Sequence, residues 1–136
     1  MRVLLDANTC IAYLHRKQPH VEVRVAQALS SAEAALCSIV KAELLYGARR
    51  SAHVEENLAS LATFFGAFPS LSFDDRAAEA AGRVRAELAR AGTPIGPHDV
   101  LIAAIALAND LTLVTNNTRE FARVAGLRIE DWIVEP

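Results

Sequence analysis

Short apolar runs alternate along the chain with longer segments in which apolar residues recur at helical spacing. Strands are predicted at 2–6, 34–37, 71–73, 111–115 and 128–130. Helices are predicted between them at 8–15, 21–29, 39–50, 54–68, 77–91 and 99–108. This alternation favours an α/β fold with a mainly parallel central sheet, in which segment 128–130 is an edge strand.

Capping and breaking residues set the expected helix ends. Asn8 or Thr9 can cap the first helix, Ser38 can cap the third, and Gly92 stops the fifth. Pro19 is expected to end the first helix. Segment 100–108 is apolar on every side, which indicates a helix buried at the centre of the fold.

Three acidic residues border or interrupt the apolar segments. Asp6 follows the first strand, Glu43 lies within an apolar stretch of the third helix, and Asp99 precedes the apolar segment 100–108. A carboxylate beside a buried segment must be paired, hydrogen-bonded or bound to a cation. Ligands of open α/β sheets bind beyond the carboxyl ends of the strands, where Asp6 is expected to lie. The pattern therefore predicts that the fold gathers the three acids at one metal site.

Each acid also has a purely structural explanation. Asp6 and Asp99 can stabilise the N-termini of helices, although capping by Asn8 or Thr9 would leave the Asp6 carboxylate free to face a cation. Glu43 can be an exposed surface residue, but a helical wheel places it near Ile39, Val40 and Gly47 and so predicts an inward orientation.

Hydroxyl and amide side chains follow the predicted strands. Thr115 and Ser38 can orient the acids through their hydroxyls or simply cap helices. Asn117 can bind a metal or orient a water through its amide oxygen, and asparagine is equally common in turns.

Composition limits the possible chemistry. A chain of 136 residues fits a single domain spanning 1–136. The net charge of −2 provides no global basic field, so a nucleic-acid substrate would need local arginines or bound cations. No zinc spacing, nucleotide-binding glycine motif or nucleophilic triad occurs, and Cys10 and Cys37 are predicted to be buried.

The chain carries no apolar run of the ~18 residues expected of a membrane span. Only three apolar residues lie between Arg2 and Asp6, too few for a secretory signal. We therefore expect a soluble, cytoplasmic protein.

Oxygen ligands select hard cations, so magnesium is the expected cofactor and manganese can replace it. Such an ion activates water and stabilises the charge that develops on a phosphodiester. The acids therefore predict metal-dependent hydrolysis of phosphodiester bonds.

Four ordered stretches resemble the VapC toxins of the PIN-domain ribonucleases: 4–8, 38–47, 92–99 and 113–121. The resemblance covers nearly the whole chain. It implies a PIN-like three-layer α/β/α sandwich with a mainly parallel central sheet, and a magnesium-dependent endoribonuclease that acts on structured RNA such as transfer RNA. It also implies a VapB-type antitoxin partner, with a homodimer and a higher toxin–antitoxin complex.

The resemblance also assigns roles to residues. It makes Asp6, Glu43 and Asp99 the acids of the site, with Asp6 and Asp99 as the usual magnesium ligands. We expect Glu43 to contribute to the metal site as well and to position or deprotonate the attacking water. Asn117 replaces a fourth acid that the family often carries, so one-metal and two-metal catalysis both stay open.

Several residues near the expected rim are candidates for contact with RNA or with the acids. Arg119 and Asn8 belong to this group, and Arg49, Arg50 and Lys17 are further candidates. Ordinary solvated surface charge explains the basic residues equally well. Two other functions also fit the sequence: an RNA-processing nuclease of the PIN type without a toxic role, and a non-catalytic binding module.

Overall fold

Five strands form one all-parallel sheet in the computed structural model, which describes residues 1–133. The strands are β1 (Val3–Leu5), β2 (Ala34–Cys37), β3 (Ser70–Leu71), β4 (Thr112–Val114) and β5 (Ile129–Glu130). Their order across the sheet is β3-β2-β1-β4-β5. The predicted α/β class, the parallel pairing and the edge position of the last strand are confirmed.

Seven helices flank the sheet within residues 1–133, and together they form the three-layer α/β/α sandwich. They are α1 (Ala7–His15), α2 (Pro19–Ser30), α3 (Ser38–Arg49), α4 (Val54–Gly66), α5 (Asp75–Ala91), α6 (Pro97–Ala108) and α7 (Thr118–Phe121). The first six match predicted helices to within a few residues. The short helix α7 had no counterpart among the predicted helices.

Two expectations about helix ends were wrong, and the structure decides between the caps that the sequence had left open for the first helix. Asp6, rather than Asn8 or Thr9, is the N-cap residue of α1 and accepts a hydrogen bond from the Ala7 N–H. The N-cap position of α3 is Cys37, which makes no capping bond through its side chain, and Ser38 is the first helical residue. Pro19 begins α2 instead of ending α1, because a proline without an N–H is well suited to a first helical turn.

The centre of the core is formed by β1 and α6. All three residues of β1 are fully buried, and so is the α6 segment from Ile102 to Ala106, as its apolar sequence predicted. No helix within the described part of the chain is both long and apolar enough to cross a bilayer. The thiols of Cys10 and Cys37 are buried too, and this burial raises the pKa of each.

The aromatic residues of the fourth helix belong largely to the core. Phe64 packs against Tyr13 and Phe68, with ring centroids 5.7 and 4.9 Å apart, and both phenylalanines are buried. Core packing therefore accounts for these two phenylalanines.

The strand order creates a crevice at the carboxyl ends of β1 and β4. Strands β2 and β3 follow β1 in the chain and lie on one side of it within the sheet, whereas β4 and β5 lie on the other side of β1. Such a switch point is where open α/β sheets bind ligands. Leu5 pairs with Val114, so the next residues, Asp6 and Thr115, emerge side by side at this crevice.

Candidate active site

Asp6 is held at the crevice through both of its carboxylate oxygens. Oδ1 accepts a hydrogen bond from the Ala7 N–H at 2.8 Å, and Oδ2 accepts one from the Thr115 hydroxyl at 2.7 Å. The side chain is only 6% exposed, and its backbone N–H donates to the Val114 carbonyl at the end of β4. Asp6 is therefore both a helix cap and a fixed site acid, although the sequence had presented these roles as alternatives. The Thr115 hydroxyl thus contacts an acid of the site, and its orienting role stays a prediction.

Asp99 lies in the first turn of α6, half-buried near the other acids. Burial above all, and then the charges of Asp6, Glu120 and Glu43, raise the pKa of Asp99 from 3.8 to about 6. Burial disfavours the charged form of a carboxyl group, and nearby carboxylates disfavour it further. The charges of Asp6, Glu43 and Glu120 all raise the pKa of Asp99, so the fold brings these four residues near one another. We call them the acid cluster.

Glu43 faces this cluster from α3, but it is not buried in the core. Its carboxylate remains 32% exposed, and its Oε1 lies 3.9 Å from Nδ1 of His98. Partial burial and the charge of Asp6 raise the pKa of Glu43, whereas the nearby His98 lowers it. The predicted inward orientation is therefore correct only in the sense that Glu43 points toward the site.

Glu120 is the member of the cluster that the sequence reasoning missed. It lies on α7, and its Oε2 accepts a hydrogen bond from the Asn117 amide at 2.9 Å. Asn117 in turn donates its backbone N–H to the Thr115 hydroxyl at 3.1 Å. An N-cap asparagine followed three residues later by glutamate is a helix-start pattern, and this pattern was the available signal. A fourth acid is therefore present, three residues beyond the position where Asn117 had suggested its loss.

The remaining predicted site residues lie around the rim. Asn8 donates its side-chain amide to Asn116 at 3.1 Å, which links α1 to the end of β4. Arg119 is exposed on α7 beside Glu120. The Ser38 hydroxyl is exposed and makes no hydrogen bond within residues 1–133, so an orienting role for it gains no support. Asp110 is not part of this rim: it precedes β4 at the opposite end of the sheet, where it forms an ion pair with Arg128.

The acid cluster does not form a closed metal cage. Within residues 1–133, no three His, Cys, Asp or Glu residues stand close enough together to hold one ion by themselves. Magnesium usually takes one or two protein carboxylates and keeps several waters, so it does not need such a cage. The repulsion that raises the pKa of Asp99 is the type of electrostatic cost that a cation removes. The donor set therefore fits a hydrated magnesium or manganese ion.

A groove of about 520 Å³ opens beside the cluster between α1, α3 and α4. Glu43 and Asn8 lie on its wall, together with apolar side chains such as Ile11, Leu44 and Leu61. The groove therefore connects a mainly apolar surface to one of the site acids.

Known proteins resemble this chain over nearly its full length. The family model described as PIN domain matches residues 3–127. The tRNA(fMet)-specific endonuclease VapC of Salmonella typhimurium is 44% identical over 132 residues, which are 97% of this chain and 98% of that protein. Ribonuclease VapC2 of Haemophilus influenzae is 36% identical over 133 residues, which are 98% and 99% of the two chains.

A solved structure has the same fold. The crystal structure of DNA-bound VapBC from Salmonella typhimurium superposes with a TM-score of 0.91 and 44% identity, covering 97% of this chain and 98% of that one.

Proposed function

The chain belongs to the VapC ribonucleases of the PIN-domain family, and on this premise we propose that it is an endoribonuclease that serves as the toxin of a toxin–antitoxin pair. The acid cluster at the carboxyl ends of β1 and β4 is the observation that carries the proposal. Its position at the strand-order switch gives a substrate open access to four carboxyl groups on separate elements. We further propose that the protein acts in the cytoplasm, where RNA is available.

We propose that catalysis depends on magnesium, with manganese as a substitute. Bound at the cluster, the ion would supply a Lewis acid that lowers the pKa of water and neutralises charge on the phosphodiester. Asp6 and Asp99 would hold it. What supports this role is the electrostatic cost at Asp99, since burial and the charges of the neighbouring acids raise its pKa to about 6 in the protein without metal.

The side chains of the cluster have separate tasks in this proposal. Asp6 cannot rotate freely because Ala7 and Thr115 bind its two oxygens, so it offers a fixed anchor. Glu43 is partly exposed and its pKa is raised, which suits a base that accepts a proton from the attacking water. Asn117 acts through Glu120, since its amide fixes the position of that carboxylate near Asp99.

The partner is a VapB-type antitoxin, because the structural relative from Salmonella typhimurium is a VapBC complex. We propose that the groove beside Glu43 takes part in that complex and that two copies of the chain associate within it. The proposed RNA substrate is a transfer RNA, because the relative from Salmonella typhimurium is named a tRNA(fMet)-specific endonuclease.

A cleavage assay with matched variants tests this proposal. Purified protein is incubated with a transcript of tRNA(fMet) and magnesium, and the products are separated on a denaturing gel. We expect Asp6→Asn and Asp99→Asn to abolish cleavage while circular dichroism stays native. Asp110→Asn is the control, because Asp110 is an acid at the far end of the sheet whose positive φ of 53° asparagine tolerates.

The metal and the toxic role need separate measurements. Chelation by EDTA should stop cleavage, and added magnesium or manganese should restore it. Expression of the wild-type chain should arrest growth, and co-expression of the VapB-type antitoxin should relieve the arrest. Cleavage without growth arrest would indicate a processing nuclease, and full cleavage by Asp6→Asn would refute the assigned site.

A further inference from the structure

An exposed tyrosine and an arginine form a pair on the outer surface of α3. Tyr46 is 63% exposed, and the guanidinium carbon of Arg50 lies 5.4 Å from the centre of its ring. Arg50 Nη1 also donates a hydrogen bond to the Tyr46 hydroxyl at 3.0 Å. Because this bond ties the guanidinium to the hydroxyl end of the ring, the pair is held in place while much of the aromatic surface stays open.

The charge of Arg50 is available to a ligand. Within residues 1–133, no carboxylate lies within ion-pair distance of Arg50, whereas Arg24 and Arg128 each pair with an acid. A chain with a net charge of −2 and an acid cluster repels phosphate until local cations compensate. An unpaired guanidinium near the cluster is suited to that compensation.

Tyr46 and Arg50 share the helix face of Glu43. Arg50 lies seven residues beyond Glu43, which corresponds to about 10 Å along the axis and about 20° around it. Tyr46 lies between them, one turn beyond Glu43. A strand that places one phosphate at the acid cluster can therefore reach this pair with its neighbouring nucleotides.

We propose that Tyr46 and Arg50 form a subsite for single-stranded RNA, in which a base stacks on the tyrosine ring and a phosphate contacts the guanidinium. This inference rests on the proposed ribonuclease function and specifies how the substrate is held. Single-stranded RNA is the form that suits the pair, since unstacked bases bind to aromatic side chains and arginines track the backbone.

RNA binding by an inactive form of the full chain tests the subsite. The Asp6→Asn protein is titrated against a fluorescein-labelled, short single-stranded RNA of mixed sequence, and the affinity is measured by fluorescence anisotropy at several salt concentrations. Tyr46→Leu should weaken binding by about 5- to 100-fold, the range expected for loss of one stacked base. Tyr46→Phe keeps the ring and should stay within about twofold of the parent.

Arg50→Ala should also weaken binding, and it should lower the slope of log affinity against log salt by about 0.7, the value for one phosphate of a single strand. Arg85→Ala is the charge-matched control, because Arg85 is exposed on α5 and forms no ion pair within the described residues. We expect this variant to leave the affinity close to that of the parent.

Two results of the binding experiments would overturn the subsite. One is an affinity for RNA that Tyr46→Leu leaves unchanged. The other is a loss of affinity together with a change of oligomeric state in size-exclusion chromatography, which would make Tyr46 part of an interface between copies. The underlying function is tested separately, since wild-type protein that leaves the tRNA(fMet) transcript intact would refute the ribonuclease. If Tyr46→Leu still cleaved the transcript with an unchanged KM, the ribonuclease function would stand and only the subsite would be contradicted.

Discussion

Replacing Asp99 with asparagine should stabilise the metal-free protein at alkaline pH. In the folded protein the pKa of Asp99 is raised from 3.8 to about 6 by burial, by Asp6 and by Glu120. A raised pKa of an acid means that the folded state favours the protonated form, so stability is lost as the pH rises through the folded pKa. Asparagine imitates the protonated form and should not suffer this loss.

The expected magnitude follows from the same pKa values. At about 1.4 kcal/mol for each pKa unit, the rise to about 6 corresponds to at most about 3 kcal/mol. Asp99 is only half-buried and solvent screens part of the repulsion, so we expect Asp99→Asn to gain about 1–2 kcal/mol at pH 8. The difference should shrink as the pH falls from 6 toward 3.8 and vanish well below pH 3.8, where Asp99 is uncharged in both the folded and the unfolded state.

Urea unfolding in EDTA measures this effect. With an m-value of about 2 kcal/mol/M, which is typical of a small protein, the expected gain moves the midpoint upward by about 0.5–1 M at pH 8. Asp110→Asn serves as the control for loss of an unrelated exposed carboxylate. The reasoning would be refuted if Asp99→Asn were no more stable than wild type at pH 8, or if its advantage were as large at pH 4 as at pH 8.

Three further changes probe how the cluster is positioned. Thr115→Val removes the hydrogen bond to Asp6 and should cost about 1.5–3 kcal/mol in urea unfolding at pH 7; an unchanged midpoint would contradict this. Glu120→Gln should lower the pKa of Asp99 in metal-free protein, as measured by NMR titration of its carboxyl carbon, whereas a constant value would exclude the coupling. Gly96→Ala places a Cβ 3.3 Å from Asp99 Oδ2, so kcat should fall several-fold while unfolding changes by less than about 1 kcal/mol; unaltered kcat would show that the carboxylate is not so constrained.

The sequence was informative wherever local pattern decides structure. The apolar run of β1 and the wholly apolar segment of α6 were recognisable because burial on all sides leaves no polar face. Asp6 and Asp99 stood out for the same reason, since each borders one of these segments. The resemblance to a known family then indicated that Asp6, Glu43 and Asp99 belong to one site, which the local pattern around each acid cannot show by itself.

The remainder depended on contacts that no local pattern contains. Thr115 was a candidate orienting residue, but its bond to Asp6 follows from the pairing of β1 with β4. Glu120 was overlooked because α7 has only four residues and shows no helical periodicity. The cap of α1 could not be chosen from sequence because Asp6, Asn8 and Thr9 are all suitable cap types, and backbone geometry alone selects among them.

The pairing of the first strand with the fourth has a consequence for how the protein is made. Asp6 emerges early from the ribosome, but the hydroxyl that fixes it belongs to a residue 109 positions later. Domains fold as units once enough of the chain is available, and contacts of such long range form late. A growing chain therefore carries no assembled acid cluster until the segment that contains Thr115 and Glu120 has been synthesised and has packed against β1.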